Sequence, residues 1–341
     1  PLLALEALGQ GVWLDDIDRA LLASGELARL IREDGVSGVT SNPAIFEKAI
    51  ARGGYDDDIA RLARVGRAPA EAYEALTVGE VQRAADLLRP VYERSGGRDG
   101  FVSLEVSPRL ADDTGATVAE AQRLAAEVAR PNLMVKIPAT RAGGPAIRAL
   151  LAQGLHVNVT LLFGLARYRE VVDAFLAGLE DRKAGGRPLA GVASVASFFL
   201  SRIDTLVDAR LDRDGRPGAA ALRGRAAIAS ARLAYSYYKE WTLGPRWRAL
   251  AAAGARPQRL LWASTSTKDP AYADVKYVEA LAGPDTVTTL PPETLRAYRD
   301  HGAPAARLDD DTAAARALPE RLAALGIDLD AASVALEQEG V

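Results

Sequence analysis

The chain has 341 residues, 49% apolar and 26% charged, a balance that places it with globular proteins and excludes collagen, coiled-coil and disordered classes. Its 42 basic and 45 acidic side chains leave a formal charge of −3, so no overall field holds nucleic acid or an anionic membrane, although a local phosphate site stays open. Cysteine is absent and only His156 and His301 carry imidazole, which removes disulfides, thiolate nucleophiles and the usual zinc cages, fits a reducing cytoplasm, and leaves carboxylate-bound magnesium as the open metal class. The longest uncharged run, between Arg148 and Arg167, contains Gln153, His156, Asn158 and Thr160, too polar for a membrane span. No basic segment follows Pro1, so no signal peptide is expected, and the starting proline suggests that native residues precede it.

Eight short segments rich in β-branched and apolar residues recur along the chain and read as strands. In order they are Gly11–Asp16, Val39–Asn42, Phe101–Ser107, Asn132–Pro138, His156–Phe163, Gly191–Phe198, Arg259–Thr265 and Thr286–Leu290. Amphipathic stretches separate them; Ile17, Leu21, Leu22, Leu27, Leu30 and Ile31 show the helical spacing after the first. Strand and helix alternate throughout, which predicts a parallel sheet with helices outside. Eight units, with no G-x-G-x-x-G after the first strand, favour a (β/α)8 TIM barrel over an open doubly wound sheet. The whole chain, 1–341, is expected to form a single α/β domain with extra helices at about 56–95, 200–256 and 303–341. The acidic run Asp309, Asp310, Asp311 reads as a helix start or a solvated turn.

Barrel strands should be apolar on both faces, so polar residues near their C-terminal ends are informative. Asp15 closes the first strand, Asn42 the second, and Glu105 interrupts the third. Lys136 lies within Leu133-Met134-Val135-Lys136-Ile137-Pro138, His156, Asn158 and Thr160 share one face of the fifth strand, and Ser197 ends the sixth. Only six lysines occur in the chain, and Lys136 alone sits in an apolar strand. An ordinary lysine, pKa about 10.4, is neutral in about one molecule in a few thousand at pH 7; enclosure that raises the neutral fraction is what Schiff-base chemistry requires. Taken singly, these residues have structural readings too. Lys136 can pair with Glu105, Asp15 and Asn42 can cap helices, Asn158 and Thr160 can satisfy backbone groups, and His156 and Ser197 can belong to the core. Six strands delivering polar groups to one barrel end favour a site.

These residues resemble the transaldolase family, specifically its longer bacterial branch, over nearly the whole chain. The resemblance is carried by Trp13-Leu14-Asp15-Asp16, Gly38-Val39-Thr40-Ser41-Asn42-Pro43, Ser103-Leu104-Glu105-Val106, Val135-Lys136-Ile137-Pro138-Ala139-Thr140, Asn158-Val159-Thr160-Leu161-Leu162-Phe163, and Ser197-Phe198-Phe199 with Arg202. It implies transfer of a dihydroxyacetone unit in the non-oxidative pentose phosphate pathway. The donor would be sedoheptulose 7-phosphate or fructose 6-phosphate, and the acceptor glyceraldehyde 3-phosphate or erythrose 4-phosphate. By family position Lys136 forms the Schiff base. Glu105 would move protons through a water anchored by Thr160, and Asp15 would take the C4 hydroxyl proton. Asn42 and Asn158 would hold the retained three-carbon unit, and Ser197 and Arg202 would bind phosphate. No cofactor or metal is implied, because the protonated imine is the electron sink. Where many relatives carry an arginine after the seventh strand, this chain has Ala263-Ser264-Thr265-Ser266-Thr267-Lys268, so Lys268 would act as a point charge without arginine's bidentate fork. Relatives usually continue beyond the equivalent of Glu339-Gly340-Val341, so the native C-terminus is expected to lie further on. Dimers occur in the family, and no interface signature stands out. Two further readings stay open: a Schiff-base aldolase that releases free dihydroxyacetone, and a barrel that binds sugar phosphates without chemistry.

Overall fold

The computed structural model describes residues 1–341. Eight parallel strands close a barrel in chain order: β1 Gln10–Leu14, β2 Val36–Val39, β3 Phe101–Glu105, β4 Leu133–Pro138, β5 His156–Leu162, β6 Ser194–Phe199, β7 Arg259–Ala263 and β8 Thr286–Leu290. Each of the eight predicted segments overlaps a strand. The second is displaced, since the strand begins at Val36 and ends at Val39 where Val39–Asn42 was expected. Asn42 explains its end: its side chain accepts from the Ile45 N–H and caps the helix Pro43–Ala51, which turns the chain out of the sheet. Its start lies under Gly38, which breaks the apolar pattern because Trp13 fills the space opposite; a Cβ at Gly38 would lie 2.5 Å from the Trp13 ring. The third, fifth and seventh strands stop short of the expected Ser107, Phe163 and Thr265, and the sixth starts at Ser194, three residues after Gly191.

Alternation along each strand divides the interior from the helix-facing surface. Leu133, Val135 and Ile137 join the large core between barrel and helices, whereas Met134 packs inside the barrel with Trp13, Phe101, Val195, Leu261 and Val287. The lower end of the barrel is closed by charge. Asp99 accepts from the Trp13 indole N–H (2.8 Å) and from both terminal nitrogens of Arg259 (3.1 and 3.2 Å), and the Arg259 side chain is only 8% exposed. Helices Asp56–Arg64 and Pro69–Arg94 occupy the long connection between β2 and β3. Ser201–Asp214, Ala226–Thr242 and Pro245–Ala251 lie between β6 and β7, and Thr312–Ala324 and Leu329–Gly340 end the described chain. The helix Thr312–Ala324 begins directly after Asp309, Asp310 and Asp311. No helix is long and apolar enough to cross a membrane.

Removing one member of a buried, hydrogen-bonded ion pair strands the other charge. Asp99→Ala should therefore lower unfolding stability by about 3–5 kcal/mol, as read from urea denaturation. The remaining folded protein should keep its activity, because the pair lies at the end of the barrel opposite Lys136. Unchanged stability would contradict this account of Arg259.

Candidate active site

Parallel register sets the centre of the site. Glu105 pairs with Lys136 across β3 and β4, and Lys136 with Asn158 across β4 and β5, so an acid, an amine and an amide stand side by side inside the ring. Lys136 is 6% exposed. Its Nζ donates to the Ser41 carbonyl at 2.9 Å and lies 3.2 Å from Glu105 Oε2. The Ser41 carbonyl is available because the chain is already leaving the sheet there, held by the Ser41 hydroxyl's bond to the Ser103 carbonyl (2.6 Å). The ammonium is therefore buried between a carboxylate and a backbone dipole, and its free side faces a cavity of about 560 Å³.

Asp15 lines the same cavity from the end of β1. Thr40 donates to its Oδ1 (2.6 Å) and also bonds the Thr289 hydroxyl (2.7 Å). Burial raises the Asp15 carboxyl above the ordinary range, against the opposing effects of the Thr40 hydrogen bond and the positive charge of Lys136. Such a carboxylate is a stronger base than an exposed one. On β5, Asn158 is fully buried: its Nδ2 donates to Ser103 Oγ (3.0 Å) and its Oδ1 accepts from the Ser197 hydroxyl (2.6 Å). Thr160 is 1% exposed and its hydroxyl has no hydrogen-bond partner within the protein. Pairing of β5 with β6 is irregular between Val159 and Leu162, and Leu161 has φ 62°. A branched residue in that left-handed region costs on the order of 1–3 kcal/mol and is held there only by its surroundings. The strain sits beside the one strand hydroxyl in the cavity that nothing in the protein satisfies.

The cavity rim is cationic. Arg202, in the first turn of the helix Ser201–Asp214, lies over the Phe199 ring (5.7 Å to its centre). Lys268 extends from the loop after β7 and donates to Ser266 Oγ at 2.8 Å. Lys48, Arg52 and Arg296 also line the cavity, with Asp16 and Glu293 as further acids. None of these five was singled out in the sequence. Lys48 and Arg52 stand one helical turn apart directly after the capping Asn42, and Arg296 one turn into the helix that follows β8, so a signal was present.

Three expected placements differ in detail. Ser197, expected beside Arg202 at the phosphate, lines the same cavity as Arg202, and its hydroxyl donates to Asn158, because β6 turns it toward β5. Asn42 spends its Oδ1 on the helix cap, which leaves its Nδ2 as the group available to the cavity. Glu105 touches Lys136 yet faces a second cavity of about 400 Å³, which Tyr73 and Glu47 also line. His156 is a structural residue: it bonds the Pro131 carbonyl (2.9 Å), accepts from the Ala193 N–H (3.1 Å), and burial lowers its pKa to about 4.

Residues 12–341 match the family model described as Transaldolase/Fructose-6-phosphate aldolase. The chain is 53% identical over 343 residues to a protein named Transaldolase from Parafrankia sp. (strain EAN1pec), covering 100% of this chain and 93% of that one. It is 53% identical over 339 residues to Transaldolase 1 of Streptomyces avermitilis, covering 98% and 89% of the two chains. It is 52% identical over 335 residues to a Transaldolase of Thiobacillus denitrificans, covering 98% and 93%. A closed barrel with a buried lysine at its polar end is thus accompanied by similarity along its whole length, and the chain belongs to the transaldolase/fructose-6-phosphate aldolase family.

Proposed function

We propose that the polar end of the barrel carries out the transaldolase reaction through Lys136, in one barrel domain with accessory helices. The observation that carries this reading is the enclosed Lys136 amine, set between Glu105 and the Ser41 carbonyl on the wall of a cation-rimmed cavity. Glu105 takes the amine's proton, and the neutral nitrogen attacks C2 of a ketose phosphate. The carbinolamine hydroxyl leaves as water after a proton is returned to it, and a protonated imine forms. Thr160 holds the water through which Glu105 passes these protons, a role that its unpartnered hydroxyl supports. Asp15 then removes the C4 hydroxyl proton, the C3–C4 bond breaks, and its electron pair enters the imine to give an enamine. The aldose phosphate departs. A second aldose phosphate accepts the three-carbon unit by the reverse sequence, and hydrolysis frees the ketose.

Asn158 supports the retained unit, with Ser197 fixing its amide orientation, and Asn42 adds its Nδ2. Arg202 and Lys268 hold the phosphate. The substrates are the sugar phosphates of the non-oxidative pentose phosphate pathway, in keeping with the name that the relatives carry. The proposal includes a cytoplasmic setting, which suits a chain with no cysteine.

Borohydride reduction in the presence of fructose 6-phosphate should attach a three-carbon adduct to Lys136, detected by peptide mass spectrometry, and Lys136→Arg should give none. Absence of the adduct from the native chain would leave a sugar-phosphate-binding barrel. Turnover with fructose 6-phosphate should require glyceraldehyde 3-phosphate; steady release of dihydroxyacetone without it would make the chain an aldolase.

Glu105→Ala and Asp15→Ala should lower kcat by about 10²–10⁴-fold, the usual contribution of a positioned acid or base. A rise in KM at constant kcat would contradict these roles.

Because the folded protein raises the Asp15 pKa, its ionised form costs stability at neutral pH, and the cost disappears as pH falls through the raised value. Asp15→Asn keeps an acceptor for Thr40 and should therefore unfold at a higher temperature than the native chain at pH 7 while losing turnover. That gain should vanish in acid. In the native enzyme, kcat should fall on the acid side at a pH above the ordinary aspartate value of about 3.9.

A further inference from the structure

The two cations assigned to the phosphate come from separate pieces of chain. Arg202 stands in the first turn of the helix Ser201–Asp214, and Lys268 on the loop that follows β7. A lysine at an exposed loop position is a mobile point charge, so joint action with Arg202 requires the loop to be fixed to that helix. Lys268 lines a second, smaller cavity of about 190 Å³ between the two pieces.

The walls of that cavity are a hydrogen-bonded cluster. Asp204, 1% exposed, accepts from Lys276 Nζ (2.9 Å), the Tyr277 hydroxyl (2.8 Å) and the Ala227 N–H (2.8 Å). One turn later Asp208, 5% exposed, accepts from the Tyr272 hydroxyl (2.6 Å) and the Gly224 N–H (2.8 Å). Asp212, a further turn on, meets Arg223 (3.2 Å), whose other nitrogen reaches Asp269 (2.7 Å), the neighbour of Lys268. The Lys276 ammonium lies 3.7 Å from the centre of the Tyr272 ring. Gly224 lets the chain pass close, since a Cβ there would lie 2.6 Å from Lys276 Nζ and 2.7 Å from the Tyr272 ring. Of these three aspartates, spaced by four on one helix face, Asp204 and Asp208 thus grip Tyr272, Lys276 and Tyr277 directly, and Asp212 reaches Asp269 through Arg223.

We propose that this aspartate ladder clamps the loop after β7 to the helix that bears Arg202, so that Lys268 and Arg202 form one preset phosphate site. Tyr272, Asp204 and Asp208 are positioning residues in that arrangement. The inference rests on the reading of Lys268 and Arg202 as phosphate ligands and adds what holds them together.

The test compares glyceraldehyde 3-phosphate with unphosphorylated glyceraldehyde as acceptor, for the native chain, Tyr272→Phe and Lys268→Met. Tyr272→Phe keeps the ring under Lys276 and deletes only the hydroxyl, so the fold should survive, as checked by circular dichroism. It should raise KM for the phosphorylated acceptor about tenfold, the scale of one hydrogen bond to a charged group, with kcat and the unphosphorylated reaction within about twofold. Lys268→Met should raise the same KM at least as far. Equal losses on both acceptors in Tyr272→Phe, or no loss on either while Lys268→Met still shows one, would overturn the clamp. If Lys268→Met leaves the phosphorylated KM unchanged, Lys268 itself leaves the phosphate site and the clamp falls with that assignment.

Discussion

A single buried ammonium organises the upper half of this barrel. Taking Lys136 out of water costs several kcal/mol unless its charge is met by close, well-oriented partners. The structure meets it with one carboxylate and one backbone carbonyl, Glu105 and Ser41. Neither partner is independent of the fold. Glu105 faces Lys136 through the β3–β4 register, and Ser41 presents its carbonyl because Asn42 caps a helix at that point. Parallel strands, a closed ring and an early exit of β2 are therefore conditions for this amine to be buried with both partners in reach.

Around that amine, satisfied and unsatisfied polar groups separate cleanly. Asn158 bonds Ser103 and Ser197, Thr40 bonds Asp15 and Thr289, and these contacts fix their orientations. Thr160 has no partner, and it stands next to the strained Leu161. Departures from local rules concentrate where function needs them, and this one falls within the cavity that Lys136 and Asp15 share. The same cavity holds Asp15, whose carboxyl burial raises above the ordinary range.

Much of this was legible in the chain because strands write their geometry with period two. The spacing of Met134, Lys136 and Pro138, and of His156, Asn158 and Thr160, puts each set on one face without further information. What the pattern could not supply were contacts between elements distant in sequence. Ser197 shares a cavity with Arg202, five residues away, and also bonds Asn158, 39 residues earlier, a contact between neighbouring strands that linear spacing does not carry. β2 ends before Asn42 because that side chain caps the next helix, and its start is hidden in the pattern because Gly38 makes room for Trp13 from the adjacent strand. Lys48, Arg52 and Arg296 carry no comparable signal, for the opposite reason. On helices, charged residues are common, and only the orientation of the helix toward the cavity gives them meaning.

The two ends of the barrel show how one fold divides stability from chemistry. Below, Asp99 and Arg259 form an ion pair whose donors and acceptors are largely used up, with Trp13 sharing the carboxylate. Above, Lys136 is also paired, but its partner Glu105 opens on one side to a second cavity and the amine opens on the other to the first. The same pairing of a buried cation with a carboxylate thus stands at both ends of the barrel, and the difference lies in the neighbours: below, Trp13 shares the carboxylate with the cation, and above, a backbone carbonyl shares the cation with the carboxylate.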